Sequence, residues 1–227
     1  REALDEAYRV YQVKQPMVLV GHSMGGILSR AQVSRLDLAQ AEAIIPGVAD
    51  LPEDSPVRRA LVFTPRHDVS RVVFLFTPHQ GSQVASWNLS LWVSRLLRMP
   101  EWIRSGISEA LDTIDHDPAG HFPNSIRDLS PTSPFLLALS ATQPQVPAHS
   151  VIGNRGHRCP LEESSDGVVA YRSAHLPAAQ SERVVPAGHR DTSHPEVVAE
   201  LTRILKEEAG CAPPHPGTSL PLVDRVQ

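Results

Sequence analysis

The sequence predicts an α/β fold built on a mostly parallel sheet, and three observations predict it. Two short apolar runs, Met17-Val18-Leu19-Val20 and Val72-Val73-Phe74-Leu75-Phe76, show no polar alternation, as expected of strands buried on both faces of a parallel sheet. Each run leads into a glycine-containing turn and then into a stretch of helical period. Between the second and third strand candidates lies a long apolar segment, residues 83–145, far beyond the roughly 12–15 residues at which structureless connections become uncommon.

The elements follow in order. Residues 1–13 place Leu4, Ala7, Tyr8 and Tyr11 on one helical face. Residues 17–22 form the first strand, and Met24 to about Leu38 a helix whose apolar positions Ile27, Leu28, Ala31 and Leu36 suit packing on a sheet. Residues 45–70 carry Pro46, Pro52, Pro56 and Pro65 and read as loop. The second strand, 72–76, ends in the turn Thr77-Pro78-His79-Gln80-Gly81-Ser82. Two apolar helical segments follow, one with Trp87, Trp92 and Leu96, the other with Trp102, Ile107 and Leu111. They are expected to form a helical cap inserted at about 83–147; an ordinary crossover helix with long loops is the alternative. His149-Ser150-Val151-Ile152-Gly153 is a third strand and Glu182-Arg183-Val184-Val185-Pro186 a fourth. The last helix starts at Pro195, a good first-turn residue, and stops by Gly210. Residues 1–209 are thus expected to form one partial domain. Residues 210–227 read as a proline-rich disordered tail: 211–227 hold four prolines and no periodicity.

Bulk properties limit the function. The 227 residues suffice for one domain with a sizeable core. A net charge of −4 gives no footprint for nucleic acid or an anionic membrane surface. No apolar run approaches the roughly 20 residues that cross a bilayer. No signal peptide is evident, although the chain opens at Arg1 without an initiator methionine, so the true N-terminus is expected upstream. Cys159 and Cys211 make no disulfide framework and read as unpaired thiols. The histidines show no metal-ligand spacing on a helix, so neither metal nor cofactor is expected.

The chemistry centres on Gly21-His22-Ser23-Met24-Gly25-Gly26. A Gly-x-Ser-x-Gly between strand and helix forms a tight elbow that exposes the serine hydroxyl at the strand's carboxyl end. The helix N-terminus there favours developing negative charge. Glycines are expected on both sides of the serine because the backbone nearly touches itself. A serine hydroxyl needs an adjacent base, and the base an orienting carboxylate, in the chain order serine, acid, histidine. No Asp or Glu lies between Thr77 and Pro100, which removes an acid after the second strand. After the third strand stand Glu162, Glu163 and Asp166; Asp166, in the compact turn Ser165-Asp166-Gly167-Val168-Val169, is favoured, and an ordinary turn-forming Asp is its alternative. For the base, His189 directly follows the fourth strand and is favoured over His194, which precedes Pro195 and suits a helix boundary. His22 neighbours the serine and should point away from its hydroxyl, and His79 either lines the site or stabilises its turn. The Met24 N–H is one expected oxyanion donor; the second is expected upstream of Arg1, with the first strands of the sheet.

These motifs together resemble the α/β-hydrolase superfamily, and within it bacterial lipase- and esterase-like proteins related to the PGAP1-type GPI inositol-deacylases. The resemblance runs over about residues 1–208, through Val18–Gly26, Arg71–Phe74, Thr77–Ser82, His149–Gly153, Ser165–Val169 and Gly188-His189. It implies an α/β-hydrolase fold with a helical lid, without its first strands. It also implies Ser23 as nucleophile, Asp166 as acid and His189 as base, acting on a small-molecule or lipid carboxylic ester through an acyl-enzyme. Membrane association would come through a segment upstream of Arg1. An acyltransferase or thioesterase on the same triad is a second reading, and a non-catalytic, truncated fold relative is a third.

Overall fold

The computed structural model describes residues 2–12, 14–44, 46–81, 134–155 and 160–210. Helix α1 (Glu2–Tyr11) leads to strand β1 (Met17–His22), then α2 (Met24–Val33), α3 (Leu38–Ile44), a 3₁₀ turn (Val48–Asp50) and α4 (Pro56–Leu61). Strand β2 (Val69–Leu75), α5 (Pro134–Ala141), β3 (Ala148–Gly153), a 3₁₀ turn (Leu161–Glu163), α6 (Tyr171–Ala174), β4 (Ser181–Val185) and α7 (Pro195–Glu208) complete it. The four strands pair in parallel in the order β1-β2-β3-β4. The expected α/β class with a parallel sheet is the observed one.

Strand alternation sorts the side chains into two layers. Met17, Leu19, Val72, Phe74 and Ala148 pack with Val33 of α2 on one face. Beyond them Ile27 of α2 joins Ala41, Ile44, Leu61, Leu136 and Leu139 from α3, α4 and α5. Val73, Leu75, Val151 and Val185 pack on the other face against Val197 and Ile204 of α7. The sheet is therefore held between helices, and its carboxyl ends are free to carry loops.

Several elements differ from their sequence reading. The helix after β1 stops at Val33; Leu36 leaves it and bridges Phe63 in antiparallel fashion, fully buried. The proline-rich stretch 45–70 contains α4, with Pro56 in its first turn, where a missing N–H costs nothing. On α1, Leu4, Ala7 and Tyr8 are half-buried, whereas Tyr11 is exposed. Strand β1 is not buried on both faces: Val20 is 44% exposed. The cause is position, since β1 is the outer strand of the sheet among the described residues. Of the insertion expected at 83–147, residues 82–133 lie outside the described residues, while α5 packs Leu136 and Leu139 into the main core. Both cysteines and residues 211–227 also lie outside them.

Strand β2 starts three residues earlier than its apolar run. It does so because Arg71, though charged, is buried with partners. Its Nε donates to Glu208 Oε2 at 2.8 Å, and its Nη1 donates to His149 Nε2 at 2.5 Å. With Nε2 accepting, His149 Nδ1–H must donate to Ser181 Oγ, 2.7 Å away. Arg203 Nη2 reaches the same hydroxyl at 3.2 Å. This chain of polar contacts ties α7 to β2, β3 and β4 beneath the sheet.

Burial, then the nearby Arg71 charge, lowers the His149 pKa to about 4 from an ordinary 6.5, and hydrogen bonding from Arg203 holds the Glu200 carboxylate below its ordinary value. The unfolded chain protonates His149 first, so its binding of protons draws the equilibrium toward unfolding as pH falls from 6.5 toward 4. Glu200 contributes fully above its unfolded pKa and loses that contribution on further acidification. We expect the urea stability of the protein to fall by about 3 kcal/mol through His149 alone across that window. Measured at several pH values, a His149→Gln variant should show a visibly flatter decline between pH 6.5 and 4.

Candidate functional site

The site begins with backbone forced into an uncommon shape. Ser23 has φ 55° and ψ −124°, a conformation that L-residues rarely hold without compensation. Compensation comes from both flanks: the Ser23 N–H donates to Leu75 O of β2 at 2.9 Å, and its carbonyl accepts from the Gly26 N–H at 2.9 Å. The turn closes only because two positions lack side chains. A Cβ at Gly21 would lie 2.6 Å from Gly26 Cα, and one at Gly26 would lie 1.9 Å from Thr77 Oγ1. Gly25, the second glycine of the pattern, has open space instead. The expectation of an obligatory glycine on each side of the serine is thus corrected: the second close approach falls at Gly26, one position beyond the motif, because Thr77 at the end of β2 packs there.

The candidate carboxylate lies after β3. Asp166 is 3% exposed. Its Oδ1 accepts from the N–H groups of Val168 at 2.8 Å and Val169 at 2.7 Å, which fixes the carboxylate in its turn. Its Oδ2 meets His189 Nδ1 at 2.7 Å, and its main-chain carbonyl accepts the His189 N–H at 3.1 Å. One residue therefore holds both the ring and the backbone of the histidine.

The tautomer follows from the partners. A carboxylate accepts, so His189 Nδ1 carries the proton; Nε2 then presents a lone pair to Ser23 Oγ, 2.9 Å away. Ser23 and His189 are each 7% exposed, so the contact is shielded from bulk water. The structure brings Ser23, His189 and Asp166 into one hydrogen-bonded line.

The other sequence candidates stand elsewhere. His194 is the N-cap of α7, its Nδ1 accepting from the Glu196 N–H at 3.3 Å. Glu162 and Glu163 sit exposed on the 3₁₀ turn. His79 is buried with its ring edge-on to Phe74 at 4.6 Å, and among the described residues neither ring nitrogen has a hydrogen-bond partner. Burial, with the Arg30 charge second, lowers its pKa to about 3, so it is neutral. Met24 opens α2, where the first N–H groups lack acceptors within the helix. Sequence reading missed the contact of His22: its Nε2–H donates to the His189 carbonyl at 2.8 Å, and its ring lies 5.1 Å from the His189 ring. Among the described residues no group of three His, Cys, Asp or Glu is placed to hold a metal ion, and no helix is long and apolar enough to cross a membrane.

A serine at a strand-to-helix elbow, an acid after a later strand and a histidine after the last follow the chain order of the α/β-hydrolase fold. No family model and no curated protein matches the chain. Among solved structures it is similar to the mature form of the Bacillus licheniformis lipase BlEst2, at 18% identity and a TM-score of 0.43, covering 90% of this chain and 70% of that one. It is similar to EstA from Clostridium botulinum at 17% identity and a TM-score of 0.44, covering 79% of this chain and 60% of that one. The Staphylococcus hyicus lipase matches at 15% identity and a TM-score of 0.40, covering 86% of this chain and 71% of that one.

The glycine geometry makes a sharp expectation. Gly26→Ala and Gly21→Ala should each cost about 1–3 kcal/mol by overpacking the elbow. Gly25→Ala should be neutral or stabilise by up to about 1 kcal/mol, since alanine is the better helix former. Chemical denaturation of the three variants tests this; equal losses at Gly25 and Gly26 would contradict the packing described.

Proposed function

We propose that the protein is a serine hydrolase of carboxylic esters, with Ser23 as nucleophile, His189 as general base and Asp166 as the residue that orients it. The observation that carries the proposal is the unbroken line Ser23 Oγ, His189 Nε2, His189 Nδ1, Asp166 Oδ2, at 2.9 and 2.7 Å. In this reading Ser23 Oγ attacks the ester carbonyl as its proton passes to His189 Nε2. The imidazolium so formed is stabilised by Asp166, whose carboxylate is already held by two backbone N–H groups. Negative charge develops on the carbonyl oxygen beside the start of α2, where we assign the Met24 N–H as a donor. The proton returns from Nε2 to the departing alcohol. Water, activated by the same nitrogen, then releases the acid from the acyl-enzyme.

The Thr77–Ser82 and Ser165–Val169 sequence motifs support placing the chain beside lipase-like proteins; a relation to the PGAP1 type is part of the same proposal. On that placement the substrate is a small-molecule or lipid ester. The same triad serves acyl transfer or thioester hydrolysis, which differ only in the nucleophile accepted or the group expelled.

A fluorophosphonate probe applied to the intact, folded protein should label Ser23, with loss of labelling in Ser23→Ala. Asp166→Asn should lower kcat on p-nitrophenyl esters by about 10³–10⁴-fold, because the histidine loses its correct tautomer. A folded protein that neither takes up the probe nor turns over acyl esters or thioesters would end this reading.

A further inference from the structure

His22 adjoins the nucleophile in sequence, yet its contacts are with the base. The backbone of His189 is held at both polar groups: its N–H donates to Asp166 O at 3.1 Å, and its C=O accepts from His22 Nε2 at 2.8 Å. A carbonyl only accepts, so His22 must carry a proton on Nε2. The two imidazole rings lie 5.1 Å apart and are tilted by 43°.

Phe76 completes the arrangement. It follows the end of β2 and is fully buried with φ 51°, a left-handed conformation that a bulky residue rarely holds. Its N–H donates to Val151 O at 2.9 Å, which anchors the strained residue to β3. From there its ring stands edge-on to His22 at 6.0 Å and 6.3 Å from His189. Backbone strain kept at such a place signals a packing demand from the site. Three rings from three separate segments, His22, Phe76 and His189, thus pack together, and His189 carries the contact to Ser23.

We propose that His22 is a positioning residue for the general base: its Nε2–H clamps the His189 carbonyl, and its ring, backed by Phe76, sets the angle at which His189 Nε2 faces Ser23. The proposal rests on the serine hydrolase reading for its kinetic consequence, although not for its geometry. Asp166 alone leaves the histidine free to pivot about the axis through its N–H and Nδ1; the clamp at the carbonyl removes that pivot. Burial lowers the His22 pKa, so the ring donates its hydrogen bond as a neutral group and places no second positive charge beside the imidazolium formed during turnover.

The test compares two substitutions in the intact protein. His22→Phe keeps a ring and deletes the donor, whereas His22→Gln places an amide N–H near the position of Nε2. With a p-nitrophenyl ester, His22→Phe should lower kcat by about 10- to 100-fold, the scale expected when a reacting group is misplaced by a fraction of an ångström to an ångström, with KM and melting temperature little changed. His22→Gln should recover kcat to within about threefold of the parent. A second readout needs no turnover: the His189 Nδ1–H proton bound to Asp166 gives a far-downfield proton resonance. That resonance should broaden and exchange faster in His22→Phe and be restored in His22→Gln. If His22→Phe does not fold, His22→Asn, whose amide is too short to reach the carbonyl, takes its place. Unchanged kcat with an unchanged resonance overturns the proposal, as do equal losses in the Phe and Gln variants. If the parent protein itself shows no turnover and takes up no fluorophosphonate, the hydrolase reading fails, and the resonance alone decides the positioning role.

Discussion

At the β1–α2 turn, three pieces of backbone and one threonine occupy a volume that admits no methyl group at Gly21 or Gly26. Gly21 lies against Gly25 and Gly26, and Gly26 lies against Thr77 at the end of β2. This compression lets Ser23 keep its positive φ, because the turn cannot relax without driving α2 into β2. The hydrogen bond from the Ser23 N–H to Leu75 O adds a directional tie to the same neighbour. The direction of the Ser23 side chain is therefore set by packing between β1, α2 and β2, and Asp166 and His189 have only to be brought to it.

They are brought by the far half of the sheet. Asp166 follows β3 and His189 follows β4, and α7 leaves just after His189. The network of Arg71, His149, Ser181, Arg203 and the glutamates of α7 lies at the opposite ends of the strands. It holds α7 against β2, β3 and β4, so the loop between β4 and α7 is anchored on both flanks. Buried charge here is tolerated because each charged group is paired and hydrogen-bonded; removing one partner would leave another exposed to the apolar interior.

What the sequence made legible was local. The tight glycine turn after β1, the two strands with unbroken apolar runs and the proline start of α7 could be read because each depends on neighbours in the chain. The rest depended on distant partners. Arg71 sits inside β2 because Glu208 waits on α7, more than a hundred residues on. Leu36 leaves the helical period because Phe63 offers a backbone partner. Val20 is exposed because a strand's apolar run does not tell which flank of the sheet it occupies. Gly26 rather than Gly25 bears the close contact because Thr77 stands there, and His22 meets His189 because β4 ends on that side. His194 carried its own signal, a residue that caps a helix just before a proline, and it is found in that role.

Among the described residues the sheet runs β1, β2, β3, β4 without a reversal, and the consequence reaches beyond the loops. Ser23 directly follows the first of the described strands, β1, and His189 comes after the last of them, β4. At about 4.8 Å per strand step, β1 and β4 stand roughly 14 Å apart in the sheet. Each step also rotates by about 20–25°, so the angle between the outer strands accumulates three such rotations. A 2.9 Å contact closed across that span samples the sum of all the intervening angles. Small changes in twist, too small to melt any strand, add along the sheet and open the contact. The Ser23–His189 contact is in that sense a gauge of the sheet's curvature, and substitutions that merely flatten or tighten the sheet should register at the serine before they register in the melting curve.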